Sequence, residues 1–234
     1  MTESTSLIQR FADRYGVAAN KLLGTLKLTA FNQFTAPPDE QLIPFLIVAE
    51  QHNLNPFTRE IFALKARDGN AIPVVSVDGW AKIINSHPEF RGVEFQYSER
   101  SIQLPGLEQE VPEWIECTIH RADRDVATSI REYMAEVYRE PTTKTGQDGK
   151  SREIRGPWQT HPSRFLRHKS FIQCGRLSFG FAGIFDADEA ERIDEATRST
   201  KPKVAMPEEI IEAPPAPLND SPEPESEVID ERPI

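Results

Sequence analysis

Apolar residues recur at helical spacing over residues 5–23, where Leu7, Ile8, Phe11, Tyr15 and Leu22 mark one face and Ser4, Thr5 or Ser6 can cap the start. A second helix is predicted over 39–53, stopping before Asn55-Pro56 because a residue before proline avoids the α region. Pro44 inside it predicts a kink or a late start. The period then falls to two. Residues 60–66 and 71–77 read as strands joined through the turn Arg67-Asp68-Gly69-Asn70. Asp78 is placed to cap a short helix over 79–85. Further strands are predicted at 93–98, 114–120 and 126–138, and a long polar loop with Gly146, Gly149 and Gly156 at 141–157. A helix over 163–181 follows. Asp186 and Glu189 then form a capping box that opens the last helix. This order predicts an α+β fold, a meander of antiparallel strands and hairpins flanked by helices.

Composition divides the chain. Residues 201–234 hold eight of the 19 prolines, no aromatic residue, and three Lys/Arg against nine Asp/Glu. Such a segment cannot build a core, so residues 200–234 read as a disordered acidic tail behind a folded domain of 1–199. The longest solid apolar run, Phe45-Leu46-Ile47-Val48-Ala49, is far short of the roughly 18 residues of a membrane span, and the N-terminus does not read as a secretory signal. Cys117 and Cys174 are too few for a disulfide scaffold and read as free thiols of a cytoplasmic protein. The net charge of -10 argues against a polyanion partner only on average, because residues 139–176 carry nine Lys/Arg against three Asp/Glu.

Catalytic signatures are sparse. Neither HExxH nor GxSxG occurs, and His52, His87, His120, His161 and His168 are scattered. Gly149-Lys150-Ser151 ends like a phosphate loop, but Lys144 stands where GxxxxGK(S/T) needs its first glycine. Asp186, Asp188 and Glu189 could suggest a magnesium site; a capped helix start explains them more economically.

The basic segment is more informative. Lys144, Lys150, Arg152 and Arg155 lie on the expected loop, with Trp158 just beyond. An exposed Trp beside cations suits single-strand binding, where bases stack on the ring and cations hold phosphates. A Trp buried against the next helix fits equally well. On that helix Lys169 and Arg176 share one face, and Arg164 and His168 another. Cations on an enclosed helix need anions, either internal carboxylates or a bound phosphate chain, and no acid occurs between Glu153 and Asp186. Arg59, Lys65 and Arg67 on the first hairpin become relevant if it faces the same groove.

Six segments carry a resemblance in sequence order: Leu54-Asn55-Pro56-Phe57-Thr58-Arg59-Glu60-Ile61, Pro73-Val74-Val75-Ser76-Val77-Asp78-Gly79-Trp80, Gly156-Pro157-Trp158, His161-Pro162, Leu166-Arg167-His168-Lys169 and Gly180-Phe181-Ala182-Gly183-Ile184-Phe185-Asp186. Across roughly residues 5–198 the chain resembles the Red beta (Bet) proteins of lambdoid phages, within the RecT/Red-beta superfamily of single-strand annealing proteins. The resemblance implies ATP-independent annealing of complementary strands in phage recombination. It implies rings or helical filaments with DNA in a deep basic groove, and no catalytic centre. It implies no required cofactor, with magnesium at most a stimulant. By matching position it places Arg59, Arg67, Trp158, Arg164, Lys169 and Arg176 at the DNA, and Lys144 through a loop that is longer here. Arg121, Arg155 and His161 complete the expected contact set. Ser163 and Ala122 stand where family lysines are expected, with Arg121 and Arg124 flanking the latter. Relatives recruit a partner exonuclease and the host single-strand binding protein through a second C-terminal domain. Here the acidic tail takes that place, so recruitment by that route is not expected; the tail instead competes with DNA for the groove or docks a host factor. The rival readings are a passive single-strand coat, a magnesium-dependent nuclease using Asp186, Asp188 and Glu189, and a structural oligomer whose basic patch meets a neighbour's acids.

Overall fold

The computed structural model describes residues 6–35, 39–146 and 149–199. The acidic tail at 200–234 and the alternative caps Ser4 and Thr5 lie outside them. Ser6 caps α1 (Leu7–Tyr15), its hydroxyl accepting the Gln9 N–H at 3.2 Å. The single helix expected over 5–23 is instead two. Gly16 adopts a left-handed φ of 63°, its N–H closes on the Ala12 and Asp13 carbonyls, and α2 (Ala19–Thr29) starts afresh. In α3 (Asp39–Gln51) the helix runs on through Pro44, and Leu42, Phe45, Leu46 and Ala49 form its buried stripe.

Strands β1 (Ile61–Lys65) and β2 (Ala71–Val75) form the expected hairpin, with Ile61 opposite Val75 and Lys65 opposite Ala71. The following helix, α4 (Val77–Asn85), starts earlier than expected. Ser76, not Asp78, is its cap, accepting the Gly79 N–H at 3.2 Å. β3 (Phe90–Tyr97) leads into a small ribbon, β4 (Ser101–Ile102) with β5 (Val111–Pro112). β6 (Trp114–Arg121) and β7 (Thr128–Tyr133) then complete an antiparallel sheet of order β3-β6-β7. The strand expected to reach 138 gives way at 133 to the single-turn α5 (Met134–Val137).

The expected polar loop at 141–157 contains a hairpin instead, β8 (Thr142–Thr145) paired with β9 (Ser151–Ile154). Its β-branched residues favour extended backbone, but every side chain is exposed, so no hydrophobic alternation announces it. α6 (Pro157–Thr160) and α7 (Pro162–Phe179) follow, and α8 (Ala187–Ser199) closes the described chain.

α7 lies across β6 and β7. Ile115, Cys117 and Ile119 alternate inward from β6. Both cysteines are free and buried. The Cys174 thiol donates to the Thr128 carbonyl at 3.2 Å, and its hydrogen bond to Cys117, with burial, pushes the Cys117 thiol up. The larger core joins Cys117, Ile119 and Cys174 to α1–α4 and the first hairpin. A smaller one gathers Leu107, Val111, Ile115, Met134, Trp158 and Leu166. Among the described residues no helix is long and apolar enough to cross a membrane.

Candidate nucleic-acid interface

The two long hairpins and the last helix enclose a cleft of about 600 Å³. Lys65 and Arg67 reach it from the end of β1, Arg139 from the approach to β8, Lys144 from β8 itself, and Trp158 from α6. The opposite side is acidic and belongs to α8, through Asp188, Glu191, Asp194 and Glu195. Of the expected contact residues, the cleft brings together Arg67, Lys144 and Trp158. A smaller cavity of about 250 Å³ lies beside it, walled by Phe62, Val74, Phe165 and Ile172 with Lys169 and Asp186.

Trp158 takes the buried alternative. It is 4% exposed, its ring meets Phe165 edge-on at 4.9 Å, and its indole N–H donates to Asp188 Oδ1 at 3.3 Å. It is a wall of the cleft, not a free stacking platform. Lys169 is also enclosed: its ammonium donates to both Asp186 oxygens, at 2.9 and 2.7 Å, and lies 2.8 Å from Asp188. Arg176 holds Glu189 with both nitrogens, at 2.5 and 2.7 Å, donates to the Ile184 carbonyl, and lies 5.1 Å over the Trp80 ring. The anions absent between positions 153 and 186 are thus supplied just after that gap. The capping box is formed as expected, the Glu189 N–H reaching Asp186 Oδ1 at 2.9 Å and the Asp186 N–H reaching Glu189 Oε2 at 3.1 Å.

The remaining expected contacts are dispersed. Arg121 grips Asp123 and the Ser178 carbonyl and packs on Phe179. Arg155 pairs at 2.6 Å with Glu108, which is 80% exposed, so the pair is weak. Arg67 reaches Asp194 at 3.8 Å. His161 is exposed at the α6–α7 corner, where its backbone links the two helices. Arg59 is exposed, with its guanidinium 5.3 Å over Phe62. Lys144 and Arg164 are exposed and have no carboxylate partner among the described residues. Arg139 is missing from the expected set although it contacts Asp188, Glu191 and Glu195. Its only sequence signal was its place at the head of the basic segment.

Asp188 gives the cluster a pH dependence. Burial by itself raises its carboxyl, but hydrogen bonds and charge from Lys169 and Arg192 outweigh that and hold it below the usual range. A carboxyl lowered in the folded state stabilises fully above its unfolded value, about 3.9, and that stabilisation is lost as pH falls through the folded value. Asp188→Asn is therefore expected to flatten the acid limb of a plot of urea midpoint against pH. An unchanged limb would place the acid lability elsewhere.

The RecT family model matches residues 20–201. The recombination protein bet of Escherichia phage lambda is 43% identical to this chain over 223 residues, covering 94% of this chain and 76% of that protein.

Proposed function

The chain belongs to the RecT family, and we propose that it is a phage recombination protein that binds single-stranded DNA and anneals complementary strands without ATP. The observation that carries this reading is the cleft between the two hairpins, where Lys65, Arg67, Arg139 and Lys144 converge. Long cations on projecting ribbons suit a phosphate chain of any sequence. Two phosphate backbones repel, and a cationic cleft removes that barrier by releasing counterions. Bases left outward can then test a second strand. The annealing domain on this reading is 1–199, and neighbouring copies on one strand add weak contacts through avidity. A hydrolytic centre at Asp186, Asp188 and Glu189 is disfavoured, because these carboxylates already serve Lys169, Arg176 and the start of α8.

The test is pairing of two complementary fluorescent oligonucleotides at two salt concentrations without ATP. Faster pairing that fades with salt is the expected result. Binding without faster pairing would leave a passive coat, and shortened strands in magnesium would indicate a nuclease. Lys144→Ala and Arg164→Ala are each expected to weaken binding to all sequences alike. Each should also reduce the slope of log affinity against log salt by about 0.7. Unaltered slopes in both would remove these two side chains from the interface.

A further inference from the structure

The carboxylates of α8 occupy the place where the proposed function needs phosphates. Asp188 and Glu191 are three apart, and Glu195 is seven from Asp188, so they share a face with Asp194 beside it. That face meets the cations of the cleft directly. Arg139 lies 3.0 Å from Glu191 and 2.5 Å from Glu195. Asp194 pairs with Arg67 and also accepts its backbone N–H at 3.4 Å.

The attachment is uneven along the helix. At its start, Lys169 and Asp188 are 8% and 7% exposed, a buried root. Further on, one partner of each pair is in solvent, Glu191, Glu195 and Arg67 being 53%, 46% and 51% exposed against 23% for Arg139 and 19% for Asp194, so these pairs are weaker than the root and partly screened by salt. Apolar burial adds little there: Ala190 is fully buried, but Ile193 is 44% exposed. The acids also crowd one another. Burial pushes the Glu191 carboxyl up, as do the nearby Asp188, Glu195 and Asp186, against the pull of Arg139. A segment held by half-exposed ion pairs, few apolar contacts and the hydrogen bond from Arg192 to the Val137 carbonyl opens at lower free-energy cost than its buried root.

Resting on the DNA-binding reading, we propose that α8 is an internal acidic strap: its half carrying Glu191, Asp194 and Glu195 competes with the phosphate chain for Arg67 and Arg139 and leaves the cleft when single-stranded DNA enters. The buried root at Asp186 and Asp188 stays in place. The strap thus sets a threshold, so that isolated phosphates do not occupy the cleft while a strand making several contacts at once does.

Displaced carboxylates recover solution cations, which offsets part of the counterion release from DNA. The full chain carrying Glu191→Gln, Asp194→Asn and Glu195→Gln is therefore expected to bind oligothymidylate about five-fold tighter or better. Its dependence of affinity on salt should be steeper than that of the parent. Neutralising three exposed acids that do not line the cleft, Asp13, Glu99 and Asp125, is expected to change affinity much less. In the unaltered chain, hydrogen exchange of the amides at 191–199 should accelerate when saturating oligothymidylate is added. Equal affinity in the strap variant, an equal gain in the control, or amides that keep or gain protection would each overturn the strap while leaving DNA binding intact. No binding by the unaltered chain at any salt concentration would overturn the functional reading, and the strap with it.

Discussion

Lys169→Met is expected to lower folding stability by about 3–5 kcal/mol at neutral pH, because it leaves the buried Asp186 carboxylate without its cation. The ammonium is 8% exposed and is shared by Asp186 and Asp188. Asp188 retains Arg192 at 3.0 Å and the Trp158 N–H. Asp186 retains chiefly the Glu189 N–H at the helix cap. A buried carboxylate without its cation is costly only while it is charged, so the penalty is full at neutral pH and is relieved once acid protonates the group. Urea unfolding of parent and variant should accordingly diverge most at neutral pH and converge on acidification. Adding Asp186→Asn should restore part of the loss, the coupling expected of side chains in direct contact. A difference below about 1 kcal/mol would mean that the cluster is solvated. Lys169 variants lose fold as well as charge, which makes Lys144 and Arg164 the cleaner probes of the proposed phosphate contact.

Gly79→Ala is expected to cost about 2–3 kcal/mol, through crowding and not through backbone strain. A Cβ at Gly79 would strike the Glu60 carbonyl oxygen and stand 2.7 Å from Val75 Cγ1. That carbonyl cannot withdraw easily. It accepts the Ser76 N–H at 3.0 Å, and the Glu60 side chain is itself tied to Lys82 at 2.6 Å and to the Asn55 N–H at 2.7 Å. The matched control is Gly24→Ala in the middle of α2, where an added Cβ meets nothing within 4 Å. That change is expected to stabilise by about 0.5–1 kcal/mol. In a domain of this size each kcal/mol moves the melting temperature by about 2–4 °C, so the two variants should shift it in opposite directions. A fall in both would point to a general intolerance of substitution and not to the contact at Glu60.

Much of this architecture was legible where local chemistry decides it. The hairpin turn at Asp68 and the capping box at Asp186 need only residues within three positions of each other. The segments that carry the family resemblance are largely scaffold. Asn55 Oδ1 accepts the Phe57 N–H, Ser76 caps α4, Gly79 lies against the Glu60 carbonyl, and Trp80 is fully buried. They identify the fold sharply and say less about which side chains would meet DNA on the proposed reading.

What stayed hidden depends on distance along the chain. The partners of Lys169 lie 17 and 19 positions away, across the turn between α7 and α8, and Arg67 meets an acid 127 positions on. No periodicity links such residues. The β8–β9 ribbon escaped for a different reason: with both faces in solvent it needs no apolar alternation, so it reads as loop. Gly16 divided an apparently continuous amphipathic stretch because a left-handed residue ends a helix whatever the hydrophobic pattern around it.

The tie between the first hairpin and the start of α8 bears on how the chain is made. Val75 donates its N–H to the Phe185 carbonyl at 2.8 Å, in a parallel bridge between Val74 and Phe185. During synthesis, at about 5–20 residues per second, the hairpin emerges several seconds before the segment that finishes its edge. A contact spanning that much chain closes late, since loop entropy opposes it until the intervening elements have packed. The nascent protein therefore passes through a stage in which Val74 and Val75 and the α7 face that later receives α8 are uncovered. Ribosomes that stall before Phe185 would release a chain whose hairpin edge is open to pairing with another molecule, whereas chains that reach Glu189 can close it on themselves.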